Sequence, residues 1–248
     1  MDPLASIRVS ICWPPEPHSE PEDVLVISGR SGFYLDLRID KAACSRSPSP
    51  TPRKNPSRAD PRISWATAGR KELLPLEPGQ EHPRARFTAL LDSRRPSSSS
   101  SPSPDNEDDS APDEGSFEPL SNGDVLERGF MLRPETGLVA PYEEVWRRLA
   151  VKPDARVVFL ELVASPGGRS ERAYVGRVGE WELGLVDGGE GGFGAVRRER
   201  RRDDGRWETT FEAGAGAELP SLADFDVPRD GTTEVELAGR TWRVIEAS

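Results

Sequence analysis

Short runs of alternating hydrophobic and polar residues dominate the first half of the chain. The clearest is the run Phe-Tyr-Leu-Asp-Leu-Arg-Ile at residues 33–39, in which every second residue is apolar. Such alternation predicts a β-strand with one buried face. Similar or shorter apolar runs lie at residues 7–12, 24–27, 63–69 and 86–91. Because turn residues rather than helices separate these runs, the pattern predicts antiparallel β-structure and not an α/β fold.

In residues 139–153 the apolar residues recur with a different period from the alternation described above. Four apolar residues recur there at the i, i+3, i+4 and i+7 spacing of an amphipathic helix: Tyr142, Val145, Trp146 and Leu149. Pro141 suits the first helical position, and Pro153 would stop any extension. The pattern therefore predicts a short α-helix whose apolar stripe packs against the neighbouring sheets.

A second series of strands is predicted after this helix. Its apolar runs lie at residues 157–163, 173–178, 180–185, 193–201, 207–211, 234–237 and 241–245. Two series joined by one helix indicate two domains. We therefore predict a mainly β protein with an N-terminal barrel domain at residues 1–138, a linking helix at 139–153 and a C-terminal barrel domain at 154–248.

Two segments interrupt the first series and contain few apolar residues. One, at about residues 45–61, is rich in Ser-Pro and Thr-Pro pairs, and the other, at about 93–118, joins a serine tract to an acidic run. Ordering a chain segment costs roughly 1–2 kcal/mol per residue, which neither segment can offset by burying apolar surface. We expect both to be disordered.

The composition and charge of the chain make some classes of binding partner unfavourable. The formal net charge is −10 and the pI is about 4.9, so nucleic acid and anionic lipid are unfavourable partners. No apolar run approaches the roughly 20 residues of a membrane helix, and the N-terminus does not resemble a secretion signal. The two cysteines are too few for a disulfide scaffold. These features favour a reducing compartment, the cytosol or the nucleus.

Candidate chemistry is sparse. The two histidines, His18 and His82, both lie in proline-rich segments, so we predict no catalytic residues, no metal site and no cofactor. Four residues in the two insertions are each followed by proline and are candidate phosphorylation sites: Ser49, Thr51, Ser101 and Ser103. Phosphorylation would add about −1.5 to −2 charges at each site.

Several motifs carry a resemblance that spans most of the chain. The most specific are Leu126-Glu127-Arg128-Gly129 and Tyr142-Glu143-Glu144-Val145-Trp146, and weaker matches include Ile63–Gly69 and Trp242–Ile245. In these motifs and their order the chain resembles the fungal Hri-one family, whose members are named for association with a casein kinase. The resemblance implies two tandem lipocalin-like β-barrels in a cytoplasmic and nuclear protein. It implies no established enzymatic activity and supplies no catalytic residues.

Two functions remain open at this point. The first is a non-enzymatic interaction protein that displays charged loops to protein partners, with a casein-type kinase as the partner implied by the resemblance. The second is a carrier that holds a small hydrophobic ligand inside one barrel, because barrels of about eight strands can enclose one ligand. Three tryptophans are candidates to line such a cavity: Trp65, Trp181 and Trp242.

Overall fold

A computed structural model describes residues 1–45, 60–95, 113–133, 136–164, 171–189, 192–226 and 233–248. These residues form two antiparallel β-sheets, with little helix. The strands of the first sheet are β1 Leu4–Cys12, β2 Glu22–Ser28, β3 Phe33–Asp40, β4 Ile63–Leu74, β5 Arg84–Asp92, β6 Asp113–Pro119, β7 Val125–Arg133 and β8 Leu138–Arg148. Those of the second are β9 Val157–Ala164, β10 Arg172–Val178, β11 Trp181–Asp187, β12 Phe193–Arg200, β13 Trp207–Ala213, β14 Glu234–Leu237 and β15 Arg240–Ala247.

The first sheet is a closed barrel in which each strand pairs with its neighbour in sequence and β1 pairs with β8. Closure removes both free edges of the sheet. The predicted strands of this half are confirmed, with β3 at Phe33–Asp40 as the clearest case. A four-residue α-helix, α1 at Lys41–Cys44, follows β3 directly. None of the helices that the structure describes is long and apolar enough to cross a membrane.

Both faces of β3 are buried, and they differ in chemistry. Leu37 lies between Leu25 of β2 and Ala66 of β4, and this face belongs to a core cluster shared with the second sheet. Asp36 lies between Val26 and Thr67 on the opposite face. Since the face toward the second sheet is the outside of the barrel, Asp36 and its neighbours face the lumen. The barrel is thus apolar outside β2–β4 and charged inside.

The second sheet has the strand order β13-β12-β11-β10-β9-β15-β14. Within the described ranges it has edges at β13 and β14, so the prediction of a second closed barrel is not confirmed. The predicted strands themselves are confirmed, including the final hairpin, whose turn places Ala238 and Gly239 at positive φ. A second core cluster covers the face of this sheet away from the barrel, around Trp242 and Leu222, beside the 3₁₀ helix Gly214–Glu218.

The two sheets pack through one continuous apolar layer. Phe33 of the barrel contacts Phe159 and Tyr174 of the second sheet, with ring centroids 5.7 and 5.2 Å apart. The sheets approach so closely at Gly176 that an added Cβ would lie 2.7 Å from the Phe159 ring and 2.8 Å from Leu35. Arg197 and Asp23 form an ion pair across the same boundary at 2.9 Å.

The predicted helix at residues 139–153 is wrong, because residues 138–148 form strand β8. Tyr142, Glu144 and Trp146 face the lumen, opposite Gly129, Glu127 and Val125 of β7. In the predicted helix Glu144 lies outside the apolar stripe, whereas the structure buries it. The polar residue that broke the strand pattern is therefore an interior residue with partners of opposite charge.

The predicted disorder at residues 93–118 is also wrong at its C-terminal end. Residues 113–119 form β6, which pairs with both β5 and β7. This segment is acidic and holds one aromatic residue, Phe117, so its strand is fixed by its two neighbours rather than by its own apolar content. Most of both predicted insertions, at 46–59 and 96–112, lies outside the described residues.

Candidate functional site

A network of buried charges fills the lumen where β8 meets β1. The Glu144 carboxylate, whose residue is 1% exposed, accepts hydrogen bonds from Arg8 Nη1 at 2.5 Å and from Arg38 Nη1 at 2.9 Å. Both guanidinium groups therefore converge on Oε1 of one acid. Because Arg8 lies on β1, Arg38 on β3 and Glu144 on β8, the network connects three strands across the barrel interior.

The remaining Arg8 donors are also occupied. Its Nε and Nη2 bind Glu20 at 2.9 and 3.1 Å, and Nη2 also binds Glu22 at 2.5 Å. Burial alone would lower the pKa of Arg8, but Glu144 and Glu20 outweigh burial, so the pKa is raised above its ordinary value. Burial would raise the pKa of Glu22, but hydrogen bonding to Ser64 and the charge of Arg8 lower it overall. Arg8 and Glu22 are consequently charged at neutral pH.

Asp36 is a member of the network whose hydrogen-bonding capacity is only partly used. Arg38 donates from Nε and Nη2 to the same oxygen, Oδ2, at 3.0 Å each. The other oxygen, Oδ1, is buried without a hydrogen-bond partner among the described residues. Burial raises the pKa of Asp36 despite the opposing charge of Arg38. The indole Nε1 of Trp146, on the lumen face of β8, is likewise buried without a partner in the part of the chain that the structure describes.

A second lumen group surrounds Glu127. Tyr142 donates its hydroxyl to Glu127 Oε1 at 2.8 Å, and burial together with the charge of Glu144 raises the pKa of Glu127 to about 7. Lys71 Nζ lies over the rings of Phe117 and Phe87, 4.4 and 5.3 Å from their centroids. Burial lowers the pKa of Lys71, and attraction to Glu127 opposes this shift.

The shifted pKa values of Glu127 and Lys71 bring an acid and a base toward neutrality, a feature common at functional sites. The packing around them is tight. A Cβ on Gly115 would lie 2.7 Å from Glu127 Oε1, and one on Gly129 would lie 2.8 Å from the Tyr142 hydroxyl. Glu127 and Tyr142 thus occupy the space that the two glycines leave open, which supports a packing role for this group.

The three tryptophans predicted to line a cavity lie in three different places. Trp65 is on the lumen face beside Arg38, with the guanidiniums of Arg38 and Arg94 4.6 and 4.4 Å from its ring centroid. Trp181 lies in the core between the sheets. Trp242 lies in the core on the far side of the second sheet and donates to Leu237 O at 3.1 Å. The structure brings no two of them together in one site.

The candidate phosphorylation sites Ser49, Thr51, Ser101 and Ser103 all lie outside the described residues. They stay predictions.

The β7–β8 hairpin carries an exposed apolar surface on the outside of the barrel. Phe130, Leu132 and Val139 are 68%, 58% and 65% exposed. Leu132 pairs with Val139 and Phe130 pairs with Pro141, so these four side chains share one face of the hairpin. We call this set, Phe130, Leu132, Val139 and Pro141, the hairpin face. It borders a surface pocket of about 370 Å³ that Phe130 and Pro141 line together with Arg84 and Glu114.

Sequence reasoning missed both the lumen network and the hairpin face. The signal for the lumen was present as polar residues at every second position of β3, but nothing local shows that their partner Glu144 lies 106 residues from Arg38. The hairpin face was hidden because Val139, Pro141 and their neighbours were assigned to the predicted helix.

A comparison with protein-family models identifies a family for this chain. A family model described as Protein HRI1 matches residues 4–246. The chain is also similar to the crystal structure of the uncharacterized protein YLR301w from Saccharomyces cerevisiae, with a TM-score of 0.71 and 17% identity over 99% of each chain. At this identity the likeness shows the fold alone. No curated protein matches the chain.

Proposed function

The chain belongs to the HRI1 family, and we propose that it works as a protein-binding protein whose contact surface is the hairpin face. The observation that carries the proposal is the exposure of three large apolar side chains side by side on one hairpin. Contiguous apolar surface of this kind is rare on monomeric soluble proteins and marks interaction sites.

The chemistry around the hairpin face indicates the kind of partner. Its neighbouring charges already pair with one another: Arg128 binds Glu143 at 2.9 Å and Glu118 at 2.5 Å, and Arg86 binds Glu114 at 2.7 Å. A partner therefore gains little from adding a single charge. An apolar side chain that enters the adjacent pocket and covers Phe130 fits this surface best. A casein-type kinase is the partner that the family resemblance suggests.

The lumen supports this assignment indirectly. Its arginines and acids are bound to each other within the barrel, so a hydrophobic ligand would have to displace charge-assisted hydrogen bonds to enter. The charged lumen does not favour a carrier of hydrophobic ligands.

The test measures binding of a purified casein-type kinase to the full chain by calorimetry. The triple variant Phe130→Ser, Leu132→Ser, Val139→Ser should bind at least about tenfold more weakly, which corresponds to about 1.4 kcal/mol. The matched control is the double variant Leu76→Ser, Val163→Ser, which removes exposed apolar side chains elsewhere and should bind like the wild type. An unchanged affinity of the triple variant rules out the surface. A wild-type chain that does not bind the kinase rules out this partner.

A further inference from the structure

We propose that Cys12, His18 and Glu143 form a binding site for Zn²⁺ on the outer surface of the barrel. Within the described residues these three side chains place one ligand atom each within 4.8 Å of one another. The site is separate from the lumen network and is not required by the proposed binding function.

Two of the three distances between the ligand atoms match those of a zinc site, and the third is slightly longer. Cys12 Sγ lies 3.4 Å from His18 Nε2, His18 Nε2 lies 3.5 Å from Glu143 Oε2, and Cys12 Sγ lies 3.9 Å from Glu143 Oε2. Tetrahedral zinc holds sulfur at about 2.3 Å and nitrogen or oxygen at about 2.0–2.2 Å, so its ligand atoms are roughly 3.3–3.7 Å apart. Small side-chain adjustments bring all three atoms to bonding distance of one ion.

Backbone pairing holds the three residues in place. Cys12 and Glu143 are direct cross-strand partners at the junction of β1 and β8. His18 lies in the β1–β2 connection, where Ile11 and Ser19 exchange two backbone hydrogen bonds of 2.8 and 2.9 Å. These bonds fold the proline-rich segment back onto the end of β1. The histidine that the sequence places in a loop is therefore carried by a fixed backbone.

Outer contacts orient two of the ligands. His18 Nδ1 lies 3.0 Å from Ser10 Oγ, which leaves Nε2 directed at the thiol and the carboxylate. Glu143 Oε1 accepts a hydrogen bond from Arg128 Nε at 2.9 Å, which leaves Oε2 for the metal. Such outer partners fix the tautomer and position of the ligands. A thiolate and an imidazole favour zinc over magnesium or calcium.

The same three residues do not have the geometry of a cysteine–histidine–acid triad. In a triad the acid binds one ring nitrogen and the nucleophile binds the other. Here the sulfur and the carboxylate both approach Nε2, while Nδ1 faces a serine. Convergence on one point suits a metal ion. Three protein ligands leave a fourth position for water or another ligand.

The chain offers matched controls because it has two cysteines and two histidines. The full chain is titrated with Co²⁺, which reports thiolate coordination by a charge-transfer band. The wild type should bind one equivalent and develop the band. Cys12→Ser should lose the band, whereas Cys44→Ser should keep it at full intensity. His18→Ala should weaken binding at least about tenfold, whereas His82→Ala should bind like the wild type.

A Zn²⁺ competition experiment completes the test. Ser10→Ala should weaken zinc affinity by about tenfold without removing a ligand, since outer-partner changes typically cost about 10–100-fold. His18 is 40% exposed at its side chain, so His18→Ala should fold normally, and metal-free circular dichroism checks this. Absence of saturable Co²⁺ and Zn²⁺ binding overturns the proposal. So does equal loss of binding in Cys44→Ser and Cys12→Ser, or wild-type affinity in a folded His18→Ala.

Discussion

The barrel lumen and the layer between the two sheets are both interiors of the protein, but opposite kinds of side chain fill them. On β3 alone, Leu35 and Leu37 are 0% exposed toward the second sheet, while Asp36 and Arg38 are 7% exposed toward the lumen. An alternating strand is usually interpreted as one face in the core and one in water. Here the polar face lies in a second interior, which shows that alternation identifies the faces of a strand but not their solvent exposure.

The two interiors should contribute to stability in different ways. The apolar layer gains roughly 25 cal/mol for each Å² of apolar surface removed from water, regardless of which apolar residue lies opposite. The lumen gains from its charges only when every acid and base keeps its partner, since an unpaired buried charge is costly. We therefore expect lumen substitutions to depend on charge and pH, and interface substitutions to depend on volume.

Removal of Glu144, the central acid of the lumen, should lower the stability of the protein most. Glu144→Ala leaves Arg8 and Arg38 without their shared acceptor, and breaking a buried pair from one side typically costs about 3–5 kcal/mol. Urea unfolding of the full chain measures this loss. Glu118→Ala is the control, because it breaks an exposed pair with Arg128 and should leave the free energy of unfolding nearly unchanged. Equal losses in the two variants would show that the lumen network does not stabilise the barrel.

Glu127→Gln should instead stabilise the protein, by an amount that depends on pH. The folded pKa of Glu127 is about 7, above the ordinary value of about 4.3 in the unfolded chain. The stability contributed by this carboxyl is therefore full below about pH 4.3 and is lost as the pH rises through about 7. At about pH 8 the glutamine variant should be about 3 kcal/mol more stable than the wild type, and the difference should disappear near pH 4.

Unfolding curves of both proteins at several pH values measure this difference. Glu72→Gln, at an exposed acid of β4, is the matched control. A constant difference between Glu127→Gln and the wild type from about pH 4 to pH 8 would contradict the assignment.

Gly176→Ala probes the apolar layer by volume. Its new Cβ would meet Phe159 and Leu35, and overpacking of a tight core typically costs about 1–3 kcal/mol. Leu35→Ala alone also destabilises, but it makes room for the methyl group. The double variant should therefore lose less stability than the sum of the two single losses. Strict additivity would mean that these residues do not meet across the two sheets.

The smallest effect compares two tryptophans whose indole Nε1 atoms differ in hydrogen bonding. Trp146 Nε1 has no partner among the described residues, whereas Trp242 Nε1 donates to Leu237 O. Trp146→Phe should change stability by less than about 1 kcal/mol, because it removes an unsatisfied donor. Trp242→Phe should cost more, since it leaves a carbonyl without its donor. Thermal unfolding of the two variants compares them, and a larger loss for Trp146→Phe would reverse the assignment.

The sequence predicts the strands well because alternation is a local property. The runs at residues 33–39 and 157–163 correspond to β3 and β9, and the turn at Ala238-Gly239 connects β14 to β15. The errors come from residues whose environment is set by distant partners. Glu144 fits an exposed helical position until Arg8, 136 residues away, pairs with it. β6 forms because β5 and β7 leave a place for it in the closed sheet.

The candidate sites were less accessible to sequence reasoning. Cys12 and His18 are close in sequence, and a turn in the proline-rich segment could have suggested their proximity. Glu143, 131 residues from Cys12, is brought to them by the pairing of β1 with β8, which the predicted helix excluded. The hairpin face depends on the pairing of β7 with β8, which the predicted helix also excluded. One wrong element assignment thus hid both surfaces.

We expect the barrel and the second sheet to unfold together, because they share one apolar core. Native-state hydrogen exchange of the wild type and of Leu35→Ala measures this coupling, because Leu35 lies in the shared core. The free energy of exchange of the slowest amides should fall by the same amount in β3 and in β11. The expected decrease is about 2–5 kcal/mol for truncation of a buried leucine. A loss confined to the barrel amides, with unchanged protection in β11, would contradict the claim.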